Sequence, residues 1–379
     1  MHFIILLGIV SLFGDVTYEG ARSVTGPYLA TLGASASIVG LVAGIGEFVG
    51  YALRLASGYL VDRTKAYWLL TFIGYGLLLS IPLLAFAGYW QLAAVLIILE
   101  RMGKAIRSPA RDTMLSYATK EVGRGWGFGI HEALDQVGAV IGPIIFFLVF
   151  LSNGGYREGF TILWIPALLT LAVLALARKK VPSPQKLETP EEASRQDIKG
   201  KLPRVFWLYT IFTLFSVAGF ANFQLISYHL KVQAIVPDAH IPLIYAIAMG
   251  VDALAALLVG KTYDRVGLIA LLAVPFLTLP IPFLVFSYSY SLVLIGIVLW
   301  GVVMGIQETI MRAAIADLTP IERRGFAYGI FNTAYGAAWF LGGALMGRFY
   351  DLSINYLILF VVVMELISIP LFLLVRRAA

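Results

Sequence analysis

The stretch GDVTYEGARS, residues 14–23, places Asp15, Glu19 and Arg22 at positions i, i+4 and i+7 within an apolar run. A helix advances about 100° per residue, so the three share a face, with Tyr18 adjacent. The pattern recurs in other apolar runs. Glu47, Tyr51 and Arg54 repeat it; Glu100, Lys104, Arg107 and Arg111 form one stripe, flanked by Arg101 and Asp112. His131 and Asp135 share a face with Gly138 and Gly142, and Glu308 and Arg312 pair at i, i+4. Histidine titrates near neutrality, and carboxylates inside a membrane serve proton relays. We therefore take Asp15, Glu19, Glu47, His131 and Asp135 as candidates for proton coupling. Arginine presents paired donors to carboxylate or phosphate. Tyr18, Arg22, Lys104 and Arg107 in the N-terminal half become candidates for holding a solute. The C-terminal half offers Asn222, Gln224, Tyr228, Gln307, Glu308, Arg312, Asn332 and Tyr335, mostly uncharged hydrogen-bonding groups, with His229 beside them. The competing reading is that acids and bases one turn apart merely neutralise each other and fix helix packing. It applies most directly to Arg54, Glu100, Arg101 and Asp112, and to His131 taken without Asp135. Asp252 and Glu365 are lone acids with no assignment.

These residues need elements to hold them. The chain has 379 residues, 60% hydrophobic and 13% charged, about half the charge of a soluble domain. Apolar runs of 18 or more residues recur throughout, each long enough to cross a bilayer. The short alternating segments of a transmembrane barrel are absent. We expect an all-α polytopic membrane protein of twelve spans, near 3–31, 36–61, 67–88, 91–118, 124–150, 158–177, 205–231, 240–262, 267–288, 291–317, 324–348 and 353–375. The first run lacks a basic flank and leads into a polar segment, so it reads as span 1 and not as a cleaved signal. Cysteine is absent, so the sequence says nothing of redox compartment. A charge at mid-bilayer costs roughly 2.5–3.5 kcal/mol even on the lenient insertion scale. The charged residues must therefore face a watery interior or one another.

An even number of spans puts both termini on one side. That side's loops hold 18 Lys and Arg, against three on the other, namely Arg157, Lys231 and Arg348. The bias orients both termini to the cytoplasm, in the cytoplasmic membrane. Residues 178–204, mixed in charge and containing Pro, read as a linker between six-helix bundles at 1–177 and 205–379. The halves also match. GYLVDR at 58–63 answers GKTYDR at 260–265, and Gly103 answers Gly305, all offset by 202. GWGFGI at 125–130 answers GFAYGI at 325–330, and Gly142 answers Gly342, offset by 200. Parallel repeats imply a pseudo-two-fold axis along the membrane normal, with a solute site at their interface.

With these motifs the sequence resembles the major facilitator superfamily along its whole length. The family signature between helices 2 and 3 is matched by Gly58, Asp62, Arg63 and Lys65, without its later Gly-Arg pair. The second copy keeps Gly260, Asp264, Arg265 and Gly267. The resemblance implies that Asp62 and Arg63, with the second copy, latch the cytoplasmic side of an outward-facing state. GAVIGP, with Gly138, Gly142 and Pro143, resembles the family's antiporter motif, although Ile144, Ile145 and Phe146 replace its following glycines. Close packing through small residues is the plainer reading of that stretch. Arg101 matches the intramembrane arginine of the family's helix-4 motif.

The expected function is secondary transport of a small organic solute by alternating access, coupled to protons and leaning to efflux by antiport. Symport of an organic anion is the alternative; a divalent-metal carrier or a sensor on a transporter fold are further ones. No HExxH, GxSxG or Walker loop is present, so neither an enzyme nor ATP-driven transport is expected. The proton gradient would supply energy and no cofactor is expected. The expected partners are the lipid bilayer and the solute, not nucleic acid, and the chain is expected to be a monomer.

Overall fold

The computed structural model describes residues 1–119, 124–187, 202–319 and 324–378, and no strand occurs among them. The first half holds α1 (His2–Thr31), α2 (Ala36–Thr64), α3 (Tyr67–Gly76), α4 (Trp90–Thr119), α5 (Arg124–Leu151), α6 (Tyr156–Ile162) and α7 (Trp164–Lys180). The second holds α8 (Arg204–Ala218), α9 (Phe223–Val232), α10 (His240–Val266), α11 (Ala273–Thr278), α12 (Ile281–Val285), α13 (Tyr290–Leu318), α14 (Arg324–Leu352) and α15 (Ile354–Ala378). Together with 3₁₀ turns at Leu77–Ser80, Pro82–Phe86 and Gly267–Leu272, they make up all twelve expected spans, with ends within four residues of those expected. Part of the expected linker, 188–201, lies outside the described residues.

Four spans that the apolar pattern paints as continuous are broken. Span 3 changes to 3₁₀ turns around Pro82, span 6 divides at Leu163 ahead of Pro166, and span 9 divides among Pro275, Pro280 and Pro282. Proline lacks the N–H that a helix needs, so the carbonyl four residues earlier loses its partner. Span 7 breaks at 219–222, where the Asn222 side chain caps α9 by accepting from the Leu225 N–H at 2.8 Å. In a bilayer the freed backbone groups must find partners within the protein. Trp300 Nε1 donates to the Ala221 carbonyl at 2.8 Å, and Tyr28 Oη donates to the carbonyls of Leu84 and Ala87 at 2.6 and 3.0 Å.

The chain forms two compact units: Met1–Tyr28 with Val49–Ser194 and Asp238–Ala246, and Leu29–Phe48 with Arg195–Pro237 and Ile247–Ala379. In the first, α1 crosses α5 at close range. A Cβ at Gly142 would lie 2.6 Å from Gly20 N, and one at Gly138 would strike the Leu12 carbonyl. In the second, the start of α2 lies on α14, where a Cβ at Gly40 would strike the Gly343 carbonyl. Asp351 of α14 caps α2, accepting from Ala36 N at 3.1 Å and Ser37 N at 2.9 Å.

Among the described residues, ten spans are long and apolar enough to cross a membrane. The two that are not are α4, with Glu100, Arg101, Lys104, Arg107, Arg111 and Asp112, and α14, with Gly, Asn, Thr and Tyr along its length. These two depend on neighbouring helices more than on lipid.

Candidate functional site

In the first unit, α1 and α4 bring together two of the charge stripes. Three cations gather around Tyr18, and a fourth lies over Tyr75. Arg101 Cζ lies 3.8 Å from its ring centroid, Lys104 Nζ 4.3 Å and Arg22 Cζ 5.8 Å, while Arg107 lies 4.7 Å over the neighbouring Tyr75 ring. Two carboxylates answer them. Glu100 takes Arg101 Nε and Arg107 Nη2, each at 3.3 Å, and is 1% exposed. Glu19 pairs with Arg22 Nη1 at 3.7 Å and accepts from Tyr245 Oη at 2.6 Å. Arg107 Nη1 also donates to the Gly74 carbonyl at 3.3 Å, tying α4 to α3. With Asp15, which acts on Lys104 through space, this side of the cluster carries one more cation than acids. Tyr245, on α10, has no charged neighbour in sequence and sits in an apolar run, so nothing in the sequence singled it out.

Two turns along, the balance reverses. Arg111 binds Asp112 through Nε and Nη2, both at 2.9 Å, donates to Ser11 Oγ at 2.7 Å, and lies 3.9 Å from Asp135 Oδ2. His131 Nδ1 stands 3.5 Å from the same Asp135 oxygen. Asp15 rests against α5, where a Cβ at Gly138 would lie 3.1 Å from its own Cβ. Two carboxylates thus share one guanidinium, with Asp15 close by on α1. His131 Nε2 and Asp135 Oδ1 are buried without a hydrogen-bond partner. The helix-5 glycines matter here: without side chains at 138 and 142, α5 approaches α1 closely enough to bring Asp135 and Asp15 to one place. On α2, Arg54 Cζ lies 5.1 Å from the Tyr51 ring.

In the second unit, Asn222 is spent on its helix cap, but its Nδ2 lacks a partner, as do Gln224 Oε1 and Gln307 Nε2, all buried. Tyr335 Oη donates to Gln307 Oε1 at 3.2 Å, joining α14 to α13. Tyr228 packs edge-on against Tyr350, and His229 Nδ1 meets the hydroxyl of that tyrosine at 2.8 Å. Glu47, Glu308 and Asn332 are half-buried. Glu365 is fully buried on α15, where Ser368 Oγ donates to its Oε2 at 3.3 Å, and it faces Gly219 at the break in span 7. The side chains of Asp62, Asp264 and Arg312 lie outside the described residues.

The sequence profile of the Major Facilitator Superfamily matches residues 6–306 and 234–379, which together take in nearly the whole chain. The chain belongs to the Major Facilitator Superfamily. A protein of Mycobacterium tuberculosis described as uncharacterized is 41% identical over 99% of this chain and 93% of its own length. A Methanocaldococcus jannaschii protein described as an MFS-type transporter is 26% identical over 96% of this chain and 92% of its own. Two solved structures share the fold at 14% identity and a TM-score of 0.77. One is a bacterial homolog of the human lysosomal transporter Spinster, covering 99% of this chain and 96% of its own; the other is the nucleoside transporter NupG, covering 99% of each. The chain is a multi-pass membrane transporter, not an enzyme.

The superfamily signature places its glycine alike in both halves. Gly58 faces Pro109 of α4 at 3.9 Å, and Gly260 faces Thr309 of α13 at 3.8 Å, so both copies place their glycine against the fourth span of their own half. Seven residues on, both copies turn left-handed: Lys65 has φ 55° and Gly267 has φ 63°. Arg63 Nη1 donates to Tyr59 Oη at 3.1 Å on its own helix.

Proposed function

We propose that this superfamily member carries a small organic solute across the cytoplasmic membrane by alternating access, driven by protons, in antiport that favours efflux. The observation that carries the reading is the Arg111 cluster. One guanidinium on α4 is shared by Asp112, Asp135 and Ser11, with His131 against the same Asp135 oxygen. A proton delivered to Asp135 removes the charge that holds Arg111 to α5 and leaves it to Asp112 and Ser11. A ligand shifts a two-state equilibrium only through a difference in its interactions with the two states, and this change of partner between α4 and α5 is such a difference. Asp15, across Gly138 from this cluster, and Glu19, tied to Arg22 and Tyr245, are the α1 groups that would sense it.

Several features support the finer assignments. The GAVIGP run on α5 resembles the antiporter motif and favours exchange over symport. The Lys and Arg bias of the loops favours cytoplasmic termini and the cytoplasmic membrane. The half-to-half repeat favours bundles at 1–177 and 205–379 joined by a linker, acting as a monomer. Arg63 and Arg265, with the aspartates beside them, are assigned to the cytoplasmic latch on the family resemblance. Among the described residues no cluster of His, Asp and Glu is arranged to hold a metal ion, so nothing favours the metal-carrier alternative.

The test uses everted membrane vesicles that acidify inside on respiration, with an acridine dye reporting the gradient. Benzoate, an amphiphilic cation, Mn²⁺ and a nucleoside (the cargo named for one structural neighbour) are added in turn. Antiport predicts dye recovery with at least one organic solute in vesicles holding the protein and none in empty ones. Recovery with no solute class would remove proton antiport from the account.

A further inference from the structure

We infer that the Tyr18 side of the first unit is a binding site for a small organic oxyanion, a carboxylate or a phosphate monoester. The inference names the solute class of the transporter proposed above and rests on that reading for transport, though not for binding.

Two polar groups here, Lys104 Nζ and Tyr18 Oη, lack a close partner among the described residues. Lys104 Nζ lies 4.3 Å over the Tyr18 ring, and among the described residues no carboxylate oxygen comes within 4.0 Å of it. Arg101 stands over the same ring at 3.8 Å. Two cations crowding one aromatic ring inside a membrane span need a counter-charge, and the nearby acids are engaged. Glu100 holds Arg101 and Arg107, and Glu19 holds Arg22 and the Tyr245 hydroxyl. Asp15, on the same helix as Tyr18, is the acid that acts most strongly on Lys104 through space, but it lies beyond ion-pair distance and rests against α5. Tyr18 itself is 2% exposed, and its hydroxyl has no hydrogen-bond partner among the described residues. A buried hydroxyl without a partner is uncommon enough to require a reason.

An oxyanion meets both needs. One oxygen accepts from Tyr18 Oη and another from Lys104 Nζ, and the ligand's charge offsets the excess of four cations (Arg22, Arg101, Lys104 and Arg107) over three acids (Asp15, Glu19 and Glu100). A cationic solute would meet that excess unaided, and a neutral one would leave it uncompensated. Lysine serves here as a point charge, which suits carboxylate and phosphate alike.

The test measures equilibrium binding to the purified full chain in phosphatidylcholine nanodiscs, which carry no net lipid charge. Labelled benzoate and phenyl phosphate are the probes, and benzamide is the uncharged isostere. Saturable binding of at least one anion is expected, with benzamide competing at least tenfold more weakly. Lys104→Gln should weaken binding at least tenfold and Tyr18→Phe several-fold. Lys104→Arg should retain most of it, and an unchanged melting temperature shows that the variants are folded. Repeating the measurement with phosphatidylglycerol distinguishes a free solute from a lipid headgroup: loss of anion binding there would assign the site to lipid and overturn the solute inference. Equal competition by benzamide, unaltered binding in folded Lys104→Gln, or no binding of either anion at 10 mM would each overturn it too. Proton flux driven by a cationic or neutral solute alongside such a failure would leave the transporter reading standing and remove only the anion site.

Discussion

Tyr245 Oη donates to Glu19 at 2.6 Å, and both are buried. Replacing it by Phe leaves the buried carboxylate short of a donor. Hydrogen bonds to charged groups contribute about 1.5–3 kcal/mol, so Tyr245→Phe should lower the melting temperature of the detergent-solubilised protein clearly, whereas an equivalent change at exposed Tyr288 should not. An unchanged melt would show that Glu19 is held by Arg22 alone. At this scale the sequence was legible in part. Spacing put Asp15, Glu19 and Arg22 on one face and placed Glu100 with Lys104, Arg107 and Arg111 on another, because helical periodicity is local. It did not say which acid meets which base. Glu100 takes Arg101 and Arg107 together, and Lys104, one turn from Glu100 in sequence, makes no ion pair among the described residues. Those choices depend on where α1 and α4 cross, and a crossing is not written in either helix alone. Tyr245 and Ser11 escaped for the same reason: an aromatic or a serine in an apolar run carries no mark of its partner.

The elements are set by glycine and proline more than by charge. Gly142→Ala would put a methyl 2.6 Å from Gly20 N, a backbone atom that can move only by shifting α1. Overpacking of this kind costs about 1–3 kcal/mol, and a lowered melting temperature should accompany impaired transport. Lys65 and Gly267 make an opposed pair. They occupy equivalent positions in the repeat and share a left-handed turn, which costs an ordinary side chain about 1–2 kcal/mol. Lys65→Gly should therefore stabilise by up to about 1 kcal/mol and Gly267→Ala destabilise by a similar amount, both read as shifts in thermal midpoint. Two shifts of the same sign would contradict the shared geometry. Span positions were legible because apolar length is a strong and local signal. The breaks at Leu163 and 219–222 were not. A membrane helix can carry proline without breaking, as α1 does at Pro27 and α15 at Pro370, so the residue alone does not decide it.

For the molecule as a whole, the chain's lack of cysteine makes its topology directly testable. Arg157→Cys, in an exposed position beyond α5, should react with an impermeant maleimide in intact cells; Lys180→Cys, at the end of α7, should react only after the membrane is opened. The reverse result would invert the orientation. The central claim is proton coupling through the Arg111 cluster, and the most direct measurement is made in proteoliposomes with an internal pH dye. A solute that moves protons in the vesicle assay is applied to the unaltered protein and to Asp135→Asn and Asp15→Asn. The account predicts solute-driven proton movement opposite in direction to the solute in the unaltered protein. It predicts loss of that movement in Asp135→Asn, with labelled solute still exchanging across the membrane. Proton movement of undiminished size in both variants would contradict it, and would return these carboxylates to the role of packing partners for Arg111.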